Sequence, residues 1–241
     1  MTSFLAFRRA VAHAPRAVQF WWRDDDAHRP DPQLDALLHL SKTHQVPVSL
    51  AVVPSWIQDG FADTLAPHTA RVTCLQHGHA HANHAEPPAR KCEYPETRSR
   101  TEVRSELQHG AQLLRQRVGT LYQPVFVPPW NRMSPVHYEA MQAAQLTGFS
   151  ARFNNEPAPG LHNLPVDIDI IDWQSRCFRG TDACVGALVK ALSTHPERPI
   201  GIMTHHLDHD DACWAFLDEL FFEIGAMSGA RVVCTRERLG A

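Results

Sequence analysis

The sequence has no CxxC pair, no long apolar run, no basic excess and no internal repeat, and each absence closes off a class of protein. Its six cysteines, Cys74, Cys92, Cys177, Cys184, Cys213 and Cys234, are scattered over 241 residues. Unpaired in this way, they suggest neither a thiolate zinc site nor the framework of a disulfide-stapled secreted domain. Cys74, in an apolar run, and Cys213, in a helical pattern, read as small core residues. No apolar stretch is long enough to span a bilayer, so no membrane partner is expected. The opening MTSFLAFRRAVAHAPRAVQFWWRDDDA places arginines inside its apolar pattern and lacks the apolar core of a secretion signal. A reducing, cytoplasmic location is the expectation. The formal net charge is −3 with histidine neutral. A protein held on nucleic acid by bulk charge carries a basic excess, so no nucleic-acid partner is expected either.

Histidine is what the chain has in quantity, with 16 copies. It is the commonest metal ligand and a common acid or base, so its placement matters more than its number. Short apolar runs suit buried strands at Val18 to Arg23, Pro47 to Val53, Arg71 to Gln76, Pro124 to Pro128, Gly148 to Phe153, Asp167 to Ile171, Pro199 to Thr204 and Arg231 to Cys234. Helical periodicity lies between them, near Gln33 to His44, Thr97 to Val118, Pro135 to Gln145, Thr181 to Ser193 and Asp211 to Met227, with a further N-terminal helix at about 2–14. Alternation of this kind predicts a parallel sheet with covering helices. One domain of this length accommodates it. The irregular stretch Asn83 to Glu96 is long enough to be a lid, with Lys91 and Glu93 as its substrate contacts.

Polar clusters sit where the strands end, and in a parallel α/β fold those ends share one face. Arg23-Asp24-Asp25-Asp26 follows the first strand. Three adjacent carboxylates repel, which is costly near a core unless a cation or a shared proton offsets it; a solvated turn into the next helix is the plainer reading. Gln76-His77-Gly78-His79-Ala80-His81-Ala82-Asn83-His84 follows the third strand. On a helical turn, His77 and His81 would face the same way and hold one metal. With one aspartate they supply two nitrogens and an oxygen, leaving positions open for water, as in catalytic rather than structural zinc sites. His79 and His84 fall off the metal, as supporting or substrate contacts. Val127-Pro128-Pro129-Trp130-Asn131 makes a rigid turn whose Trp130 N–H suits an oxyanion donor. Asp169-Ile170-Ile171-Asp172-Trp173 sets an orienting acid beside an apolar wall. Met203-Thr204-His205-His206-Leu207-Asp208-His209-Asp210 supplies a general acid or, alternatively, a second metal site.

These five motifs, in this order from about Val18 to Leu207, resemble the polysaccharide deacetylases, carbohydrate esterase family four. The resemblance implies a distorted (β/α) barrel of about seven strands and hydrolysis of an N- or O-acetyl group. It implies Asp25 as general base and Asp26, His77 and His81 as ligands of a divalent metal, zinc first, with cobalt, manganese or nickel as other fits. It implies His205 as general acid oriented by Asp172, and Pro129, Trp130, Asn131, Trp173, His84 and Glu93 on the substrate side. Asp24 is an extra acid, so a register shifted by one makes Asp24 the base and Asp25 the ligand. His206 is a rival to His205. The family's arginine beside the base is Val127 here, with Arg23 or Arg132 as replacements, and its glycine after the paired acids is Ala27. The expected substrate is a small acylated carbohydrate or amide rather than a wall polymer. A degenerate sugar-binding member without turnover, and an amidase for a non-sugar linear or cyclic amide, are the rival readings.

Overall fold

The computed structural model describes residues 3–153, 155 and 157–239. In chain order its elements are α1 (Ser3–Ala12), β1 (Val18–Ala27), α2 (Pro32–Thr43), β2 (Val48–Val52), α3 (Phe61–Leu65), β3 (Val72–His77), α4 (Arg100–Val118), β4 (Tyr122–Val127), α5 (Tyr138–Ala143), β5 (Gly148–Phe149), β6 (His162–Asn163), β7 (Ile168–Asp169), β8 (Ile171–Asp172), β9 (Cys177–Phe178), α6 (Thr181–Thr194), β10 (Ile200–Thr204), α7 (Asp211–Ala226), β11 (Ala230–Val232) and α8 (Thr235–Leu239). The N-terminal helix is shorter than the expected 2–14, and residue 2 lies outside the described residues.

β1 is central and buried along nearly its whole length. It pairs in parallel with β2 on one side and β10 on the other. The sheet runs β6-β5-β4-β3-β2-β1-β10-β7, with β11 added against the start of β1. β6 is the addition to the expected strands on this path. The two edge strands, β6 and β7, are neighbours in the chain. Between them the Val166 N–H donates to the Ala151 carbonyl at 2.9 Å and the Asp167 N–H to the Gly201 carbonyl at 2.8 Å. One extended stretch thus reaches first one edge and then the other, curling the sheet into an open, distorted barrel. Gly201 permits that approach, because a Cβ there would lie 2.3 Å from the Pro165 carbonyl oxygen. The Trp21 indole N–H also donates to that oxygen, at 3.0 Å.

Strand alternation divides β1 between two environments. Phe20 and Trp22 pack outward against helical residues such as Leu37, Leu217 and Phe221. Trp21 packs inward with Ala51, Leu75, Val125 and Met203. Burying a side chain of this size contributes roughly 1.5–3 kcal/mol. The layer beneath the acidic motif is therefore a buried apolar cluster. The expected strand Asp167 to Ile171 breaks after β7, because β8 turns away to pair antiparallel with β9. The acid triplet lies inside β1 rather than in a loop after it.

Candidate active site

Alternation carries past Trp22 into the acids. Arg23 and Asp25 face inward; Asp24 faces the Trp22 side. There the Thr204 hydroxyl donates to Asp24 Oδ2 at 2.6 Å and takes the Trp22 indole N–H at 2.8 Å. The His206 N–H donates to the same carboxylate at 3.0 Å, and the His206 ring Nδ1 bonds it as well. Burial works against the charged form of each group. The pair outweighs it, holding the Asp24 carboxyl below and the His206 imidazole above their ordinary values. Asp24 and His206 are thus committed to one another. This geometry favours neither the shifted register, with Asp24 as base, nor His206 over His205.

Strict alternation would send Asp26 after Asp24. A bulge in the β1–β2 register between Asp25 and Ala27 prevents this. Asp26 takes φ 70°. A bulge with a left-handed residue re-aims its side chain, and strained backbone of this kind clusters at functional sites. The His28 Nδ1–H donates to the Asp26 carbonyl at 2.7 Å and fixes the turn. Asp26 Oδ1 then lies 3.3 Å from His77 Nε2 and 3.4 Å from His81 Nε2.

The two histidines do not share a helix. His77 ends β3, and the chain turns at Gly78 with φ 61°, reaching His81 with φ 52°. A Cβ on Gly78 would stand 1.9 Å from Glu93 Oε2 and 2.6 Å from Pro129 Cγ. The HGHAH run is therefore a loop that requires glycine at that point. Its histidine rings still meet, with centroids 5.1 Å apart. The Nδ1–H of His77 donates to the Val127 carbonyl at 3.0 Å, which leaves Nε2 as the lone-pair side.

These residues fit a bound metal. Among the described residues Asp26, His77 and His81 form the one cluster of three potential ligands, their donor atoms all within 4.8 Å of one another. Asp26 Oδ1 is buried without a hydrogen-bond partner. Tetrahedral zinc with bonds of about 2.1 Å separates its ligand atoms by about 3.4 Å, which matches the spacings seen here. Burial resists ionisation of Asp26, yet the His77 contact outweighs it and the carboxyl is held below the usual range. Burial, and after it the neighbouring His77, lower the His81 imidazole to about 4, so it is neutral and free to ligate at ordinary pH.

Asp25 is buried beside Arg23. Arg23 Nε lies 2.8 Å from Oδ1, and Nη2 donates to Oδ2 at 2.9 Å. Arg23 also donates to the Ser150 hydroxyl at 2.7 Å and to Asn131 Oδ1 at 2.8 Å. Arg132, the other arginine considered for this partnership, instead donates to the Lys91 carbonyl. Asn131, expected on the substrate side, is buried and orients Arg23. His205 Nε2 lies 3.8 Å from Asp25 Oδ2, and Trp173 stands edge-on to the His205 ring at 4.6 Å. Trp130 packs against His81 at 4.4 Å, and Pro129 before it is buried.

Several expected placements differ in the structure. Asp172 does not orient His205: its carboxylate accepts from the Gln174 N–H and the Ser175 hydroxyl in a local turn. The acid tied to Trp173 is Asp169, which accepts its indole N–H at 2.7 Å. Glu93, expected on the substrate side, faces the back of the histidine loop. It is buried and accepts the N–H groups of Ala80 at 2.7 Å and His79 at 3.2 Å, clasping the histidine loop from behind. His84 is exposed, and its N–H donates to the Cys92 carbonyl. His79 pairs with His109 at 3.1 Å, away from the cluster. The expected lid is a loop stapled on itself, since Asn83 Oδ1 accepts the N–H groups of Ala85 and Cys92. Lys91 Nζ lies over the Trp130 ring, at 5.9 Å. The second metal site in His205 to Asp210 does not form: Asp208 pairs with Arg176, and Asp210 caps α7. Sequence reasoning missed Trp56, which follows β2 and lies 5.5 Å from the His81 ring.

Glu93 carries a prediction. Glu93→Ala should weaken zinc affinity by roughly 10- to 100-fold, as loss of a group supporting a ligand does. It should also cost about 1–3 kcal/mol of stability, because two loop N–H groups lose their acceptor. Competition with a chelating dye measures the first and denaturant titration the second. Unchanged metal affinity with a raised KM would return Glu93 to the substrate side.

No sequence-family profile and no curated protein matches this chain. Solved structures do share its fold, that of the family 4 carbohydrate esterases. One from Streptomyces lividans, in complex with acetate, aligns with TM-score 0.60 at 14% identity over 90% of this chain and 92% of its own. A family 4 acetyl xylan esterase from Clostridium thermocellum, with a cobalt ion, gives TM-score 0.60 at 13% identity over 92% and 90%. A family 4 pseudoenzyme from Bacillus anthracis gives TM-score 0.60 at 16% identity over 94% of this chain and 66% of its own. Active and inactive proteins share this frame, so whether this chain turns over substrate depends on its site residues.

Proposed function

We propose that this chain is a divergent family 4 carbohydrate esterase, a metal-dependent hydrolase that removes an acyl group, acetyl first, from a small N- or O-acylated sugar. The observation that carries the reading is the convergence of Asp26, His77 and His81 on one point, beside an arginine-paired Asp25 and facing His205. Asp26, His77 and His81 would hold a divalent metal, with zinc the best fit, and the chemistry it would supply there is polarisation of the substrate carbonyl and acidification of an adjacent water. Asp25, fixed by Arg23, takes the proton from the attacking water. His205, held against Trp173, passes a proton to the departing nitrogen or oxygen. The Trp130 N–H stabilises the developing oxyanion. Both acid and base are retained, which supports turnover over mere sugar binding.

Elemental analysis of His77→Ala and His81→Ala proteins tests the ligand set. Each should lose most of its metal, since a three-residue site left with two ligands holds it poorly. Full stoichiometric metal in both would overturn the assignment. Acetate release from a panel of acetylated sugars and amides, with and without a chelator, tests the activity. A metal-loaded protein that binds sugar but releases no acetate would be the degenerate member instead. Turnover of non-sugar amides alone would make it an amidase.

A further inference from the structure

Away from the metal cluster, a cavity of about 410 Å³ opens at the seam where the two edges of the sheet approach each other. None of Asp25, Asp26, His77, His81 and His205 lines it. Its floor is apolar. Val166 and Ile168 come from the stretch that reaches both edges, Met203 from β10, and Ala187 and Ala191 from one face of α6, where small side chains leave the space open. At its mouth stands Phe153, 52% exposed. The Phe153 N–H donates to the Val166 carbonyl at 3.0 Å, and its ring meets His195 at 5.9 Å. The walls carry charge as well, and the two acids among them are engaged. Asp167 accepts from both Nη groups of Arg198, at 2.8 and 2.7 Å, and from the Gly201 N–H at 2.8 Å. Asp169 accepts the Trp173 indole N–H and the Ile171 N–H. Three cations complete the lining: Arg152, Arg179 and Lys190. Arg152 reaches Asp169 at 3.3 Å. Among the described residues, the Arg179 and Lys190 side chains make no hydrogen bond or ion pair.

We infer that this seam cavity binds a small organic carboxylate with an apolar body, at a site separate from the metal centre. The body lies on the floor of Ile168, Ala187 and Ala191 beside Phe153, and the carboxylate meets the Arg179 and Lys190 side chains. An apolar concavity with a few convergent polar groups is the usual form of a small-molecule site. Charge selects the ligand within that form. Guanidinium and ammonium groups give a carboxylate charge-assisted hydrogen bonds, about twice as strong as those to a neutral amide of the same shape. A dianion such as a phosphate monoester is disfavoured. Asp167, Asp169 and the C-terminal half of α6, from Ala187 to Thr194, all present negative charge to the cavity. The inference stands on this cavity alone and does not depend on the hydrolase reading.

Titration calorimetry with 4-phenylbutyrate tests it, with 4-phenylbutyramide as the uncharged counterpart. Wild-type protein should bind the acid with Kd below about 1 mM, as a ligand of this size in a modest site does. Metal-loaded and chelator-treated protein should bind alike, which separates the cavity from carboxylate capture by the metal. The amide should bind about tenfold more weakly, the worth of a hydrogen bond to a charged group. Ala187→Trp fills the floor without touching a charge and should abolish binding. Lys190→Glu changes an exposed helix position and should weaken binding by about tenfold or more, with the fold intact. Equal affinity for acid and amide, affinity unmoved by Lys190→Glu, or a wild-type Kd above about 1 mM overturns the inference. Loss of binding on chelation overturns it too, since the carboxylate then sits on the metal. Tighter binding of phenyl phosphate than of phenylbutyrate overturns the choice of a monoanion.

Discussion

Arg23→Ala should be the most destabilising single change at this site, costing about 3–5 kcal/mol, the effect of breaking a buried ion pair. Arg23 is fully buried, and so is the Asp25 it pairs with. Removing the guanidinium leaves a carboxylate without a cation. It also strips the donors from the Ser150 hydroxyl and from Asn131 Oδ1. Buried acceptors left unpaired add to the penalty. Urea titration measures it as a lower midpoint with little change of slope. Arg23→Met with Asp25→Leu provides the check where the single variant unfolds. Replacing both charges by apolar groups of similar size is often neutral, so the double variant should recover most of the stability and none of the activity. If Arg23→Ala costs under about 1 kcal/mol, the value of an exposed pair, the ion pair is not buried in solution.

That arginine shows where the sequence was legible and where it was not. Strand periodicity placed Phe20, Trp21 and Trp22 in a buried strand, and polar clusters after successive strands pointed to one face. Both rest on alternation and parallel topology, which are local or nearly local rules. The acids were expected after the strand; because β1 instead continues to Ala27, Arg23 and Asp25, two residues apart, share a side. The separation of Asp24 from Asp26 was not legible. It depends on a bulge and a left-handed φ at a residue that is not glycine, and nothing local demands either. The HxxxH spacing suggested a helix, whereas Gly78 and the Glu93 clasp impose a loop. Glu93 itself read as part of a mobile lid, because its partners are backbone N–H groups that a sequence does not display. Asp172 and Asp169 illustrate the same limit. Both lie within four residues of Trp173, and only the turn after β7 decides which carboxylate meets the indole.

The aspartates of β1 should separate into three phenotypes. Asp25→Asn keeps the side chain's shape but cannot accept the water's proton. Metal should stay bound while kcat falls by roughly 10²-fold or more, the usual contribution of a positioned base. Asp26→Asn should instead weaken metal binding, because a neutral amide is a poorer ligand than a carboxylate. Excess metal should then recover part of its activity, which it cannot do for Asp25→Asn. Asp24→Asn should act on stability first. It breaks the buried pair with His206 and leaves that imidazole facing a neutral amide. The folded protein should lose roughly 1–3 kcal/mol, the cost of an unsatisfied buried group, while its metal content holds. Metal analysis, initial rates with metal titration and urea unfolding on all three variants distinguish the outcomes. Metal loss in Asp25→Asn, together with a metal-replete but inactive and fully stable Asp24→Asn, would move base and ligand back by one residue. That result would also require Asp24 to leave His206 and Thr204 and cross to the inner face of β1. A strand cannot do this at one position without a second bulge, so the inward Asp25 and the re-aimed Asp26 are the pair expected to carry the chemistry.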